Sequence, residues 1–162
     1  MKLTRNLFIP ALDVSTGGKG EFVAIDKSTV FEFAWNPNTE TYSYICNKND
    51  SNEVTGYAPT MGQEIVLDNS NPMYSFLQPK FMAMPTGSDC NIPCLLIEPD
   101  MTTGKPTVGR LWKEATVVPD TLNTVDGKLA FTINFNGDPT PGTVAISGGK
   151  ITFKEGASGA GA

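Results

Sequence analysis

The 162-residue chain contains no histidine. This absence excludes Ser-His-Asp and Cys-His catalysis, histidine-dependent zinc sites and the usual general base near neutral pH. Two carboxylates facing each other across a cleft could still act as acid and base. The acidic residues are scattered, however, and their spacing singles out no such pair. We therefore expect a protein that is not an enzyme and that has no metal site and no cofactor.

Cysteine is scarce as well, with Cys46, Cys90 and Cys94 as the three examples. An odd number of cysteines does not form a disulfide framework. The motif "CNIPC" is one residue too long for the redox C-x-x-C motif, and as half of a metal site it lacks a second half. We expect ordinary reduced thiols.

Long hydrophobic runs and excess positive charge are also missing. No apolar run is long enough to cross a bilayer. The start, "MKLTRNLFIPALDV", has a short apolar block interrupted by Pro10 and Asp13, so we expect no signal peptide and no membrane partner. With 12 basic and 17 acidic residues, the net charge of −5 argues against a protein that grips nucleic acid by its phosphates.

What the chain does have is strand-like alternation. In "KLAFTINFN", Leu129, Phe131, Ile133 and Phe135 alternate with more polar residues, which predicts a half-buried strand. The runs "VFEFAW" (30–35) and "TYSYIC" (41–46) flank the turn-like "NPNTE" and predict a hairpin, followed by the polar loop "NKNDSNE". Their aromatic residues are predicted to be core, with a sugar-stacking face as the alternative.

One segment has helical rather than strand spacing. In "NPMYSFLQPKFMAM", Asn71 is a plausible N-cap and Pro72 fits the first helical position. Pro79 would clash with the carbonyl four residues earlier. We therefore expect a helix from about Pro72 to Gln78, then a kink or a second turn to Met84.

Together these patterns predict a mainly β protein, an antiparallel β-sandwich or barrel with one short flanking α-helix. We expect a single domain over residues 1–154, with an N-terminal arm over about 1–18. The Gly/Ala/Ser-rich residues 155–162 are expected to form a flexible tail.

Three segments carry a resemblance to a known family. They are "WNPNTETYSYICNKNDSNEVTGYAPTMGQEIVLDNSNPMYSFL", "PTGSDCNIPCLLIEPD" and "KLAFTINFNGDPTPGTVAI". Their order and spacing, over roughly residues 20–154, resemble the major tail or tail tube proteins of long-tailed bacteriophages. Pro79 inside the helix departs from the pattern of that family.

The resemblance implies a structural subunit of the virion tail, assembled in the cytoplasm of the host bacterium. Six copies would close into a ring, and rings would stack into a tube around a lumen through which DNA passes during ejection, without specific binding. A tape measure protein and tail tip or terminator proteins would be the other partners. An acidic lumen would repel phosphate, so that DNA slides.

The resemblance and the loop length also nominate surfaces for ring stacking. One is the N-terminal arm over residues 1–18. The other is the polar loop, which consists of Asn47, Lys48, Asn49, Asp50, Ser51, Asn52 and Glu53. The alternative function is a phage or bacterial β-sandwich binding module of the receptor-binding, decoration or adhesin type. An enzyme with a carboxylate pair is the third.

Overall fold

A computed structural model describes residues 2–15, 19–26, 28 and 31–156. Within them lie twelve strands and one α-helix. The strands are β1 (Ile9–Asp13), β2 (Phe22–Ala24), β3 (Glu32–Ala34), β4 (Pro37–Tyr42), β5 (Ser51–Tyr57), β6 (Thr60–Val66), β7 (Cys94–Glu98), β8 (Val108–Trp112), β9 (Thr116–Asn123), β10 (Lys128–Asn134), β11 (Thr140–Ser147) and β12 (Lys150–Glu155). The helix α1 spans Pro72–Met82, and 3₁₀ turns lie at Arg5–Leu7 and Gly87–Cys90. The expected mainly β class with one helix is confirmed.

Six of these strands close an antiparallel barrel in the order β1-β2-β12-β11-β8-β7. Its interior is filled by side chains and forms one of two hydrophobic cores. The buried members are Ala11, Phe22, Leu95, Ile97, Val144 and Ile151. Closure pairs every strand of this sheet on both sides, so the barrel leaves no edge open to another chain.

The second sheet has four strands in the order β3-β6-β10-β9 and packs against the outside of the barrel. The two layers meet in the larger core, where Leu96 of β7 lies with Ile65 of β6 and Phe131 of β10. Strand β7 is therefore buried on both faces, because Leu95 and Ile97 point into the barrel and Cys94 and Leu96 point out of it. Its unbroken apolar run "CLLI" is the pattern of such a strand.

Helix α1 completes the larger core with Met73, Leu77 and Phe81. The Asn71 side chain caps it by accepting a hydrogen bond from the Met73 N–H at 3.1 Å. The helix runs through Pro79 to Met82, so it does not end near Gln78, and the expected second turn continues the same helix. An interior proline costs roughly 3 kcal/mol. Burial of Phe81, whose ring lies 5.8 Å from that of Phe131, contributes about 1.5–3 kcal/mol in return.

The predicted hairpin between residues 30–35 and 41–46 is wrong. Residues 37–40 of the supposed turn "NPNTE" lie within β4, which pairs with β5, whereas β3 pairs with β6. The aromatic residues of these runs differ in burial. Phe31 and Phe33 pack on the larger core, as predicted, whereas Trp35 and Tyr44 are exposed, so the core prediction is wrong for these two residues.

Strand β10 confirms the clearest prediction from alternation, because Leu129, Phe131 and Ile133 are buried. Part of the predicted N-terminal arm is not an arm, since Ile9–Asp13 is β1 and is hydrogen-bonded into the barrel. Residues 1 and 16–18 of that segment, and residues 157–162 of the predicted tail, lie outside the described residues.

Substitution of Gly142 tests how closely β11 and β12 pack in the barrel. A Cβ at this position would overlap the backbone carbonyl oxygen of Lys154 and lie 2.6 Å from the Phe153 ring. We expect Gly142→Ala to lower the free energy of unfolding by about 1–3 kcal/mol, because backbone oxygen cannot move aside. Chemical denaturation followed by tryptophan fluorescence measures the change.

The matched control is Gly62→Ala on the four-stranded sheet, where a Cβ meets nothing within 4 Å. This control should leave stability unchanged or raise it by about 0.5–1 kcal/mol. Equal effects of the two substitutions would contradict the close approach of β11 and β12.

Candidate assembly surfaces

The β4–β5 hairpin is a surface element with no hydrophobic core of its own. Nearly every residue in its two strands is exposed, and its two strands pair only with each other. Near its tip Ile45 is fully exposed (107%), and Tyr44 is half-exposed (52%). An isolated two-stranded hairpin is marginally stable in water. The hairpin is therefore the part of the described chain with most to gain from contact with another molecule.

Asn36 fixes the hairpin to the body of the protein. It adopts a left-handed backbone conformation (φ 46°), which asparagine tolerates better than most residues. Its side-chain amide donates hydrogen bonds of 3.1 Å to the Ala58 carbonyl oxygen and to the Thr60 hydroxyl. Both ends of the hairpin are thereby tied to the start of β6, while its tip extends away.

The seven residues of the predicted interface lie together at the far end of the hairpin. Asn47–Asp50 belong to the connecting turn, and Ser51–Glu53 begin β5. The turn is closed by the Asn47 N–H donating to the Tyr44 carbonyl oxygen at 3.0 Å. The Ser43 hydroxyl donates to Asp50 at 2.5 Å. The predicted polar loop is thus shorter than expected, since three of its seven residues belong to β5.

One cross-strand pair of the hairpin places two negative charges opposite each other. Glu40 and Glu53 stand directly opposite each other, and like charges so placed are destabilising. The Tyr42 hydroxyl donates to Glu40 at 2.5 Å, and this hydrogen bond is the main reason that the pKa of Tyr42 is raised above its ordinary value. A partner that brought a cation between the two carboxylates would relieve the repulsion.

The outer face of the four-stranded sheet is a second surface, which we call the small-residue face. Its positions alternate with the buried residues of β6 and β10. The face comprises Glu32, Ala34, Thr60, Gly62, Glu64, Val66, Thr116, Val118, Thr121, Asn123, Lys128, Ala130, Thr132 and Asn134. Two carboxylates (Glu32 and Glu64) against one ammonium (Lys128) give it a net charge of −1.

This sheet has open edges, unlike the barrel. In the described part of the chain, β3 and β9 each pair with one neighbour, so each leaves one side free. Asn91 bridges Thr116 at the start of β9, and a bulge lies opposite the step from Ala130 to Phe131. Beyond the bulge, Leu122 is half-exposed beside the end of α1. Unpaired strand edges are templates for pairing with another chain.

An aromatic cleft of about 620 Å³ lies at the base of the hairpin. Trp35 and Tyr57 are its exposed aromatic walls, and Phe33 and Trp112 lie deeper. The Arg110 guanidinium forms an ion pair with Glu98 at 3.0 Å on the same wall. Exposed aromatic faces of this kind can stack on planar or apolar groups.

Among the described residues, no three cysteine or carboxylate side chains come close enough together to hold a metal ion. No described helix has the length and apolar character needed to cross a membrane. The three cysteines are free thiols. Cys94 is wholly buried, and burial raises the pKa of its thiol.

Proteins of known structure share this architecture. No protein-family model matches the chain, and no curated protein matches it. Among solved structures, the chain is similar to a component of the tail of an empty GTA particle, refined with helical and C6 symmetry. That similarity has a TM-score of 0.61 at 13% identity and covers 86% of this chain and 98% of that one.

A second similar structure is the sheath/tube terminator of an extracellular contractile injection system (PVC) in its extended state. Here the TM-score is 0.52 at 8% identity, over 85% of this chain and 94% of that one. The chain therefore has a tail-related fold, at low sequence identity.

Sequence reasoning missed the exposed apolar residues that make the hairpin distinctive. Trp35 and Tyr44 are aromatic residues in alternating runs, a pattern that normally indicates core. The polar composition of the paired strands could have indicated this exposure. Both β4 and β5 are polar on each face, "PNTETY" against "SNEVTGY", and such a pair has no face to bury.

The independence of the hairpin can be tested by shortening it. Replacing residues 40–53 by Asn-Gly would join the register partners Thr39 and Val54 through a two-residue turn. Because the removed residues contribute nothing to either core, we expect a change in melting temperature of about 2 °C or less. Differential scanning calorimetry measures it. Loss of the cooperative transition would contradict the separation of hairpin and body.

Proposed function

We propose that this chain is the structural subunit of a bacteriophage-type tail tube. Six copies form a ring, and rings stack into a tube whose lumen lets DNA pass during ejection. The observation that carries the proposal is the end-to-end similarity of fold to a chain from a C6-symmetric tail, covering 98% of that chain. A single domain over residues 1–154 serves as the building unit, and the protein has no catalytic role.

The open edges support the lateral contacts. The barrel needs no partner, whereas the four-stranded sheet can continue from the β9 edge of one copy to the β3 edge of the next. Six such sheets joined edge to edge form one large barrel, which removes the free edges. The closed six-stranded barrel and α1 then form the outer layer that supports each segment of the wall.

The charge and size of the small-residue face support its role as the lining of the lumen. Its side chains are mostly short, and one Glu64–Lys128 ion pair (3.6 Å) neutralises its only basic residue. With a net charge of −1 on each copy, a ring presents a weakly negative lining. Such a lining repels phosphate and gives DNA no cationic contacts.

The hairpin supports the axial contacts. Rings that stack head to tail meet through two different surfaces, and such heterologous contacts propagate into filaments. The hairpin tip, with Ile45 exposed and Asn47–Glu53 around it, is proposed as the surface that reaches the next ring. A cation of that ring would lie near the Glu40–Glu53 pair. A tape measure protein and tip or terminator proteins would set the length and the ends of the tube.

Electron microscopy of the purified protein tests this proposal. At high concentration the wild-type chain should form rings and tubes of uniform diameter in negative stain. The paired change Tyr44→Ser with Ile45→Ser should leave rings but shorten or abolish tubes, because it removes the exposed apolar tip. Val125→Ser is the matched control, since Val125 is also exposed (93%) but lies in the β9–β10 turn.

The results separate this function from two others. A tube terminator, as suggested by the second similar structure, would form isolated rings at every concentration. A sugar-binding module would stay small, and glycans would quench the fluorescence of Trp35 in the aromatic cleft. A strictly monomeric protein at every concentration and salt level would contradict the proposal.

The lumen assignment has its own test in Thr132→Lys. Thr132 is half-buried in the middle of the small-residue face, and the change would add six ammonium groups to each ring. We expect tubes that still form but that retain double-stranded DNA at low salt and release it as salt rises. Co-sedimentation of DNA with tubes measures the retention.

Thr143→Lys is the control, because Thr143 is exposed on the barrel strand β11 and the change alters net charge equally. This variant should retain much less DNA inside the tube, as judged by nuclease protection. Equal protection of DNA by both variants would contradict the assignment of the lumen.

A further inference from the structure

A cleft of about 630 Å³ opens beside the β3 edge of the four-stranded sheet. It lies between the N-terminal segment and the end of β2, and Phe8, Ile25 and Phe31 give it apolar walls. Arg5 and Asp26 supply one cation and one anion at the same cleft. The cleft is separate from the aromatic cleft at the base of the hairpin, although Phe8 and Phe31 border both.

Gln63 makes this cleft unusual. Its side chain lines the cleft from β6 and is 2% exposed, yet neither its amide nitrogen nor its amide oxygen has a hydrogen-bond partner in the described structure. Buried polar groups are nearly always paired, and an unpaired one is costly. A side-chain amide offers both donors and an acceptor, the complement of a backbone carbonyl and N–H. The cleft therefore suits a segment of polypeptide.

The opposite edge of the same sheet carries a matching projection. Beside β9, helix α1 ends with Met82 and continues into Met84, which is 82% exposed. The N–H groups of Ala83 and Met84 turn back to the Pro79 and Phe81 carbonyls. The carbonyl oxygens of Met82 and Ala83 accept no hydrogen bond within the described residues. The last carbonyls of a helix carry partial negative charge.

We propose that, in a ring, the cleft receives the C-terminal end of α1 from the neighbouring copy. This inference rests on the proposed function, because edge-to-edge joining of β9 to β3 brings these two features face to face on the same side of the sheet. Met82 and Met84 fill the apolar walls, while the Gln63 amide and the Arg5 guanidinium donate to the helix-end carbonyls. Lys80, in the last turn, faces Asp26, so the charges on the two sides are complementary.

Gln63→Leu tests the role of the amide through two measurements that should move in opposite directions. Removing a buried unpaired amide should raise or preserve the melting temperature of the monomer. Losing the amide as a donor should raise the concentration for half-maximal ring assembly by about tenfold. Sedimentation velocity measures assembly, and calorimetry at low concentration measures the monomer. Assembly at the wild-type concentration would overturn the assignment of Gln63.

Met84→Asp tests the projection, with Met101→Asp as its matched control because Met101 is also exposed (79%) but lies in the β7–β8 loop. Met84→Asp should raise the assembly concentration by about tenfold or more while leaving the monomer folded, since burying a charge opposes docking. Met101→Asp should assemble as the wild type does. Equal assembly of the two variants would overturn the proposal.

Cross-linking tests proximity between copies directly. In a Cys46→Ser, Cys90→Ser background, one preparation carries Asn6→Cys at the cleft and another carries Met84→Cys. After mixing and assembly, a short bismaleimide should link the two preparations. Replacing Met84→Cys by Met101→Cys should abolish the link.

Microscopy of the wild-type protein shows whether a negative result contradicts only the helix-end docking or the tail-tube proposal as well. Uniform tubes without the Asn6–Met84 cross-link would overturn the helix-end docking and leave the tail-tube proposal standing. Absence of rings and tubes from the wild type would overturn the tail-tube proposal and this inference with it.

Discussion

The need to pair backbone hydrogen bonds along strand edges is the constraint on which this structure depends. Within one domain, the chain treats its strand edges in two different ways. The six-stranded barrel closes on itself, whereas the four-stranded sheet keeps the outer sides of β3 and β9 free of strand partners in the described chain. A protein with one closed and one open sheet has a rigid body and a surface suited to assembly.

Strand β7 of the barrel lies between the two hydrophobic cores and connects the two sheets through side-chain packing. Because Leu95 and Ile97 fill the barrel while Cys94 and Leu96 fill the larger core, the sheet with open edges is fixed to the closed barrel through side chains on both sides of one strand. Helix α1 covers the same core, and Phe81 holds its last turn in place despite Pro79. The edges and the helix end are thus displayed on a rigid support, and the hairpin is the exception, held mainly through Asn36.

Three unfavourable features of the monomer fall on the surfaces proposed for assembly. The Gln63 amide, the opposed carboxylates Glu40 and Glu53, and the exposed Ile45 each cost free energy in an isolated subunit. None of them belongs to either hydrophobic cluster, although Gln63 itself is buried. A folded subunit that carries such costs can recover them by contact with other copies, which favours assembly.

Local sequence patterns were enough to predict the mainly β class, the inward face of β10 and the existence and start of α1. These follow from local rules, namely the two-residue period of Leu129, Phe131 and Ile133 and the Asn71–Pro72 cap. Tertiary structure decided strand partnership and hence the burial of the aromatic residues. Alternation specifies that a strand has two faces but leaves open which strand covers them, so Trp35 could be assigned to a core it does not join. Likewise the contact of Phe81 with a distant strand decided that α1 continues through Pro79 to Met82 as one helix, a choice that the helical spacing alone left open.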